Sequence, residues 1–423
     1  MKKIALSIII IIITLNSCNN NHRNNKEIEK FGEEILSSNL FKGQQDTPFK
    51  LIDTKKVIDL DLDMFLEKIS DQEYVSLDSK ELIGYVNKVL VYKDIIYILD
   101  ANIGEKIFIF NMKGQLIKLI NSKGQGPGEY VGLGDMNFDT IKNELIISDS
   151  KSPKFLHYTL DGKFIRTSPN KPSVEFAICN KDISILSMIS GQSFLDNVNY
   201  GLIAVKNDSV IRKGFKLESF QSSIPRSFSM IKNSMGELLF TPTGSDTVYQ
   251  ILNDSTYKIR FVIGLNKSIW NYCNNMNETF SVDKYDQLIK NNGYSRFSGR
   301  FYETDQFISF DVVQLSTVSI NRPYFKNYIY NKQLDKLYSF DIFKERDESF
   351  SRKITRIGSI IPPPPMAIYG NKFVSVIPTE FMSKLKDDCA NGKQLIKNNK
   401  FKHIIEQFPE EGNPVLVFYK YKF

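Results

Sequence analysis

The run DIIYILDANIGEKIFIFNMKGQLIKLI, residues 94–120, contains three short segments rich in isoleucine, leucine, phenylalanine and tyrosine. The segments are 94–100, 106–110 and 115–120, and a tight turn at Met112–Gly114 separates the last two. Short β-branched and aromatic runs bounded by glycine and asparagine are typical of strands joined by hairpins. The stretch therefore predicts three successive antiparallel strands.

The same pattern returns in residues 144–167, ELIISDSKSPKFLHYTLDGKFIRT. Asp100 corresponds to Asp149 and Gly114 to Gly162, and 49 residues separate the two aspartates. A period of about 40 to 50 residues with about four strands in each unit is typical of the blades of a β-propeller. The repeat therefore predicts an all-β fold of this kind.

Weaker copies of the pattern follow along the chain. We assign three more blades to residues 174–215, 226–264 and 300–343. A sixth blade combines residues 372–377 and 414–421 with an N-terminal strand near Phe49–Leu60. Pairing the two chain ends in one blade closes the ring and removes open sheet edges. The sequence thus predicts a six-bladed β-propeller, with five or seven blades as alternatives.

Three segments between strands lack the strand pattern. Ser281–Asn291 and Glu380–Gln407 have the polar spacing of helices or long loops. Insertions longer than about 12 to 15 residues are often functional or disordered. Pro362–Pro365 is a run of four prolines, and no ligand signature flanks it. We interpret this run as a rigid polyproline II connector rather than a recognition motif.

The first 18 residues have the layout of a lipoprotein export signal. Two lysines precede an apolar run from Ile4 to Ile13, which is too short to span a bilayer. Leu15–Cys18 then reads as a lipobox, so Cys18 is predicted to be lipidated and to become the first mature residue. A soluble secreted protein is the alternative.

These boundaries divide the chain into a signal peptide (1–17), a lipidated tether (18–48) and a propeller domain (49–423). The tether is polar and almost free of apolar residues, which predicts disorder. Some anaerobe lipoproteins carry an acidic cluster after the lipidated cysteine that directs them to the cell surface, and this tether has none. We therefore expect an outer-membrane lipoprotein, on the periplasmic face rather than at the cell surface.

Charge and residue usage exclude several classes of function. The formal net charge of +7 is mild for 423 residues, and no block of like charges suggests a nucleic-acid arm. After Cys18, the cysteines Cys179, Cys273 and Cys389 are widely spaced and form no C-x-x-C motif, although one bridge is possible. Three scattered histidines argue against a histidine-based metal site and against a Ser-His-Asp set.

Three short motifs in the chain resemble motifs of one protein family. They are GQGPGEY at Gly124–Tyr130, DTVY at Asp246–Tyr249 and GNPVLVFY at Gly412–Tyr419. With them, residues 57–423 resemble lipid-anchored six-bladed β-propellers of Bacteroidetes-type bacteria, which are relatives of NHL-repeat proteins. The resemblance implies an architecture and an envelope location. It implies no catalytic residue, because most members of the family have no known function.

The glycine-rich loop is the first candidate ligand-facing element. Backbone N–H groups of Gly124, Gln125 and Gly126 are able to cradle an anion. Pro127 lacks an N–H, however, and no Gly-Lys-Ser or Gly-Lys-Thr follows. The favoured interpretation is therefore architectural, with the glycines supplying turns and Tyr130 packing between blades. The carboxylates nearby, which are candidates to face the channel, are Glu129 and Asp135.

Other candidates come from residue clusters. An aromatic ligand surface is possible near the insertion between the fourth and fifth blades, from Trp270, Tyr272, Tyr294 and Tyr302. A funnel that attracts acidic ligands is possible from Arg226, Arg296, Arg300, Arg352 and Arg356. A calcium or zinc ion in the channel would need ligands such as Asn137, Asp139, Asn180 and Asp311. Packing and ordinary solvated polarity are the simpler explanations for all three sets.

Taken together, these features favour a non-enzymatic envelope propeller that binds a small molecule, a glycan or a protein partner through loops at one end of its channel. No resident cofactor is predicted. The alternative is an NHL-like hydrolase or lyase with a metal in the channel. A structural subunit of an outer-membrane complex is a third class.

Overall fold

The computed structural model describes most of the chain from Leu40 onward. The described residues are 40–44, 47–171, 173, 175–180, 182–188, 200–207, 209–217, 221, 230–275, 281–315, 323–340, 364–391 and 398–423. They form six sheets, each of four to six strands, arranged as the six blades of a β-propeller. The predicted fold class and blade number are confirmed.

The strands run in chain order through the six blades. The N-terminal strands are β1 (Lys42–Gly43), β2 (Lys50–Asp53), β3 (Val57–Leu60) and β4 (Ile69–Ser76). Blade 1 contains β5 (Lys88–Tyr92), β6 (Ile95–Asp100), β7 (Lys106–Asn111) and β8 (Leu116–Ile120). Blade 2 contains β9 (Leu133–Asp139), β10 (Glu144–Asp149), β11 (Lys154–Thr159) and β12 (Phe164–Pro169). Blade 3 contains β13 (Glu175–Asn180), β14 (Ile183–Ser187), β15 (Tyr200–Lys206) and β16 (Ser209–Lys216).

The second half of the ring follows the same plan. Blade 4 contains β17 (Met230–Lys232), β18 (Leu238–Phe240), β19 (Thr247–Ile251) and β20 (Thr256–Gly264). Blade 5 contains β21 (Arg296–Glu303), β22 (Phe307–Leu315), β23 (Pro323–Asn331) and β24 (Lys336–Phe340). Blade 6 contains β25 (Ala367–Tyr369), β26 (Lys372–Ile377) and β27 (Val415–Tyr421).

Five α-helices lie between these strands in the described part of the chain. They are α1 (Leu62–Glu67), α2 (Ile269–Asn274), α3 (Val282–Asn292), α4 (Thr379–Ala390) and α5 (Asn399–Gln407), beside a short 3-10 helix at Thr54–Lys56. Local sequence explains α3, because the Ser281 hydroxyl caps its start and Gly293, in the left-handed conformation, ends it. Both predicted insertions therefore contain helices. None of the described helices combines the length and apolarity needed to cross a membrane.

The continuous apolar runs of the sequence follow from burial of both faces of each blade. Along β6, Ile96 and Ile98 pack against blade 6, whereas Tyr97 and Leu99 pack against blade 2. Successive side chains of a strand point to opposite faces, so a blade between two neighbours needs apolar residues at nearly every position. Packing between blades therefore accounts for the strand-rich repeat from which the fold was predicted.

The N-terminal strand that closes the ring is not the one predicted. β4 pairs antiparallel with β27 and forms the outer edge of blade 6. The predicted region near Phe49–Leu60 instead adds β2 in parallel to β20 of blade 4 and β3 in parallel to β24 of blade 5. The chain thus runs along the outer edges of two blades before it completes the sixth. Closure by strands from both chain ends is confirmed, but its position is corrected.

Candidate functional site

The first strands of all six blades surround a central channel with a volume of about 1340 Å³. Each of β5, β9, β13, β17, β21 and β25 contributes residues to the wall. Neighbouring first strands also approach one another, as β5 does with β9 and β25. The channel is therefore the axis of the propeller, and its wall consists of strand edges and the loops at their ends.

One end of the channel carries an acidic rim, which we call the acidic mouth. This end lies where the first strands β5 and β25 begin, so the segments that precede them meet there. The connection from β26 to β27 also lies there, because β26 runs antiparallel to β25 and ends where β25 begins. The exposed carboxylates of Glu380, Glu410 and Glu411 border it. The side chains of Leu82 and Tyr85 are also exposed there, at 45% and 54%. This mouth thus combines negative charge with apolar surface.

Lys88, which borders the channel, forms an ion pair with Asp135. Lys88 Nζ lies 2.7 Å from Asp135 Oδ1, and the backbone N–H of Phe176 donates to Asp135 Oδ2 at 3.1 Å. Asp135 is 5% exposed and does not border the channel, contrary to expectation. Its carboxylate joins the first strands of blades 1, 2 and 3, so it is already occupied within the protein.

Blade 5 supplies a cation and a phenol to the channel. Arg300 and Tyr302 both border it from β21. Arg300 Nη1 lies 3.6 Å from Asp311 Oδ2, and Asp311 is buried on β22, the second strand of the blade rather than the first. Burial raises the pKa of Asp311 to about 6, although Arg300 and Asn327 oppose the shift. Burial also raises the pKa of Tyr302 well above its usual value.

Lys232 is a functional candidate that sequence reasoning missed. It ends β17 of blade 4 and borders the channel close to the end opposite the acidic mouth. Burial lowers its pKa, and the nearby Asp139 and Cys179 offset that effect only in part. No local pattern in residues 226–264 singles this lysine out, because its position follows only from closure of the ring.

The glycine-rich loop folds around the carboxylate of Glu129, which belongs to the same loop. Gly126 N donates to Glu129 Oε2 at 2.8 Å, and a Cβ on Gly124 would lie 2.1 Å from the same oxygen. Gly128 has φ +79°, the left-handed region that favours glycine. The anion position that backbone N–H groups would offer is therefore filled by Glu129. Gln125 is exposed, and none of these residues borders the channel.

Tyr130 lies between blades 1 and 2 with no exposed surface. Its hydroxyl donates to the backbone oxygen of Glu105 at 2.6 Å, and burial raises its pKa to about 12. Asp149, at the end of β10, receives N–H groups from Val131 at 2.8 Å and from Lys151 at 2.9 Å. These contacts fix the loop to the blade that follows it.

The predicted aromatic cluster divides into two parts. Trp270, Tyr272 and Tyr294 pack on one small core beside α2 and α3, and the rings of Tyr272 and Tyr294 meet edge to face at 5.2 Å. Tyr302 lies elsewhere, in the channel. The first three residues do not border the channel, so the four do not form one ligand surface.

The predicted arginine funnel and the predicted metal ligands are also dispersed. Arg226, Arg352 and Arg356, like the side chain of Asn180, lie outside the described residues. Arg296 is buried at 3% exposure and does not border the channel. Asp139 receives the N–H groups of its own turn, and Asn137 Nδ2 donates to the Phe176 oxygen at 2.7 Å. Within the described ranges, no three His, Cys, Asp or Glu side chains group as metal ligands.

The structure brings together a serine, a histidine and a glutamate that the sequence analysis excluded. His157 Nε2 lies 2.7 Å from Ser168 Oγ, and Nδ1 lies 2.9 Å from Glu144 Oε2. Pairing of β10, β11 and β12 sets this alignment. Arg166 engages both Glu144 oxygens, at 2.6 and 2.7 Å, and burial lowers the pKa of His157. None of these groups borders the channel, and the ion pair with Arg166 makes the set a structural network.

The cysteines of the described residues are unpaired thiols. Cys179, Cys273 and Cys389 form no disulfide, and burial raises the pKa of Cys273 to about 11. A thiol with so high a pKa is a poor nucleophile at neutral pH, because the thiolate is the reactive form. The possible bridge considered from the sequence is absent from the described part of the chain.

Comparison with known proteins gives a family match and similar solved structures. Residues 52–420 match the family described as domain of unknown function DUF4934. A Bacteroides fragilis protein, named as exported, has a similar structure with a TM-score of 0.68 at 18% identity, over 88% of this chain and 100% of that one. A DUF4221 member from Bacteroides vulgatus aligns with a TM-score of 0.47 at 12% identity, over 84% and 97%. Among curated proteins, none matches this chain.

Proposed function

We propose, for a chain that belongs to the DUF4934 family of domains of unknown function, that the central channel binds a small molecule or a glycan fragment. The observation that carries the proposal is the channel of about 1340 Å³, to which all six blades contribute. Typical ligand pockets occupy about 300 to 1,000 Å³ and combine apolar walls with a few polar groups. This channel is large enough for such a ligand and has that mixed lining.

The lining supports binding more directly than it supports catalysis. Apolar residues such as Leu90, Val91 and Ile368 line the channel together with Arg300 and Tyr302. Such a surface orients a ligand through polar contacts and buries its apolar parts. The described residues supply no observation that favours the hydrolase or lyase alternative.

Blocking the channel should abolish ligand binding. Thr140 borders the channel at the end opposite the acidic mouth, and its neighbour Ile141 is 58% exposed and does not border it. In a thermal-shift screen of sugars, oligosaccharides, carboxylates and nucleotides, we expect at least one compound to raise the melting temperature of the wild-type protein. The shift should disappear in Thr140→Trp, because the indole fills the opening, and should persist in Ile141→Trp.

Either of two outcomes would count against the proposal. One is that Thr140→Trp and Ile141→Trp respond equally to a compound that stabilises the wild-type protein. The other is that no compound raises the melting temperature of the wild-type protein.

We also propose that the propeller is held at the envelope by lipid on Cys18, which lies outside the described residues. The support is the export-signal layout of residues 1–18. A diacylglyceryl group with an acylated amine provides more than one buried chain, which stable anchoring requires. The periplasmic face of the outer membrane is the proposed location.

Replacement of Cys18 by alanine should remove the protein from the outer membrane. Without the thiol no thioether forms, so the signal should remain uncleaved and the protein should leave the washed outer-membrane fraction. Cys389→Ala, which removes a cysteine from the propeller, is the matched control and should stay with the membrane. Fractionation and intact-mass measurement check both outcomes, and retention of Cys18→Ala without its lipid in the outer-membrane fraction would refute the anchor.

A further inference from the structure

Lys232 is a channel cation that forms no ion pair within the described part of the chain, although nearby Asp139 acts on its charge and raises its pKa. Its ammonium group has no hydrogen bond or ion pair among the described residues, and it borders the channel where β17 ends. The side chain is partly buried, and that burial lowers its pKa. An ammonium group taken from water without a partner is unfavourable, so its position carries a cost that a bound anion would relieve.

Two more polar groups at the channel have hydrogen-bond donors that the described residues do not use. The Tyr302 hydroxyl has no hydrogen-bond partner among the described residues. Arg300 has one contact with Asp311 at 3.6 Å, although a guanidinium group carries five N–H donors. Its side chain is 36% exposed and borders the channel. Blades 4 and 5 thus present an ammonium, a guanidinium and a phenol to one channel.

The acids near the channel do not pair with these groups. Asp135, which does not border the channel, is paired with Lys88, and Glu175 accepts the N–H of Met230 at 3.0 Å. Asp139 accepts the N–H groups of its own turn. The other carboxylates that border the channel, Glu380, Glu410 and Glu411, lie at the acidic mouth. The channel is therefore negative at one mouth and positive along the wall of blades 4 and 5. A narrow, partly desolvated space strengthens such a field.

We infer that the channel takes a ligand with a carboxylate, phosphate or sulfate group, and that this group binds Lys232 while Arg300 and Tyr302 donate to the same ligand. The inference rests on the proposed function, since it names the chemical class that the channel would hold. Charge-assisted hydrogen bonds to an anion are about twice as strong as neutral ones. A neutral ligand of the same shape would leave Lys232 uncompensated.

Two sugars that differ in one charged group test the inference. Glucuronate and glucose are titrated into wild-type protein, into Lys232→Met and into Lys216→Met, with inorganic phosphate as a minimal anion. Lys216 is an exposed lysine at the end of β16 and serves as the matched control. Reductive ¹³C-methylation, which preserves the charge of lysine, lets NMR report the pKa of Lys232.

Glucuronate should bind wild type and Lys216→Met about tenfold more tightly than Lys232→Met, and it should raise the pKa of Lys232 by about one unit. Glucose should not distinguish the three proteins. If both sugars bind equally in all three and Thr140→Trp abolishes both, the channel is a binding site but the inference is wrong. If neither glucuronate nor phosphate moves the Lys232 resonance, the inference is also wrong. Glucuronate bound equally by Thr140→Trp would contradict the proposed channel function itself.

Discussion

Replacement of Gly114 by alanine is expected to lower the free energy of unfolding by about 3 kcal/mol or more. Gly114 lies in the turn between β7 and β8 with φ +80°. A Cβ there would lie 1.9 Å from the backbone oxygen of Ser76, at the end of the closing strand β4. A backbone atom cannot move aside cheaply, so the methyl group should force blade 1 away from blade 6. Urea unfolding followed by circular dichroism measures the loss.

Gly236→Ala separates the cost of the backbone conformation from the cost of the contact with Ser76. Gly236 has nearly the same backbone conformation, with φ +78°, but a Cβ there would meet no atom within 4 Å. It should therefore lose only the cost of placing alanine in the left-handed region, about 1 kcal/mol. Equal losses in the two variants would show that contact with the closing strand contributes nothing.

The turn glycine of the repeat could be predicted because it has the same structural role in blades 1 and 2. Gly162 occupies the same turn in blade 2, with φ +83°, and its Cβ would meet Ile109 and Lys118 of blade 1 at 2.8 Å. In both blades the turn packs against the preceding blade, so both conformation and space require glycine. The match between Gly114 and Gly162 was therefore a reliable indicator of the blade repeat.

The closing strand was less predictable because outer strands have a weak pattern. β4 has the sequence ISDQEYVS, and only its first residue is fully buried, because it is the edge strand of its sheet and pairs with β27 alone. β2 and β3 look more strand-like, but they extend blades 4 and 5 by parallel pairing. An apolar pattern indicates that a segment forms a strand, and it does not indicate which sheet edge the strand joins.

The channel residues could be predicted only in part for a similar reason. Arg300 and Tyr302 were named among candidates, but in two different clusters, and Lys232 was not named. A channel wall consists of the edges of six strands that are far apart in sequence, so no local spacing brings these residues together. The contact of His157 with Glu144 and Ser168 was missed because it depends on the register of three strands.

The second large effect is expected from Asp246, whose replacement by asparagine should stabilise the protein at alkaline pH. Asp246 is buried beside Ser268, whose hydroxyl donates to its carboxylate. Burial raises the pKa of Asp246 from 3.8 to about 7, although Ser268, the Phe297 N–H and Arg296 oppose the shift. Asparagine keeps an acceptor for Ser268 and carries no charge to bury.

The sign of the pH dependence follows from proton binding. Between about pH 4 and pH 7 the folded protein holds a proton on Asp246 that the unfolded chain releases, so stability falls as pH rises. At 1.36 kcal/mol for each pKa unit, the stability of Asp246→Asn relative to wild type should increase by about 4 kcal/mol from pH 4 to pH 8. Asp311, whose pKa burial raises to about 6, is present in both proteins and cancels in the difference. Urea unfolding at a series of pH values measures this difference in the free energy of unfolding.

Asp149→Asn is the control that should change stability in the opposite direction. Asp149 is also buried, and burial alone would raise its pKa, but hydrogen bonds from Ser152, Val131, Lys151 and Gly132 lower it. Its ionised form therefore stabilises the fold above its unfolded pKa, and this contribution is lost as pH falls through the folded pKa. Asparagine should destabilise the protein at pH 7 and approach wild type in acid. The two variants should therefore show opposite pH dependence of stability relative to wild type. The same direction in both would contradict the explanation that hydrogen bonds outweigh the cost of burial at Asp149 but not at Asp246.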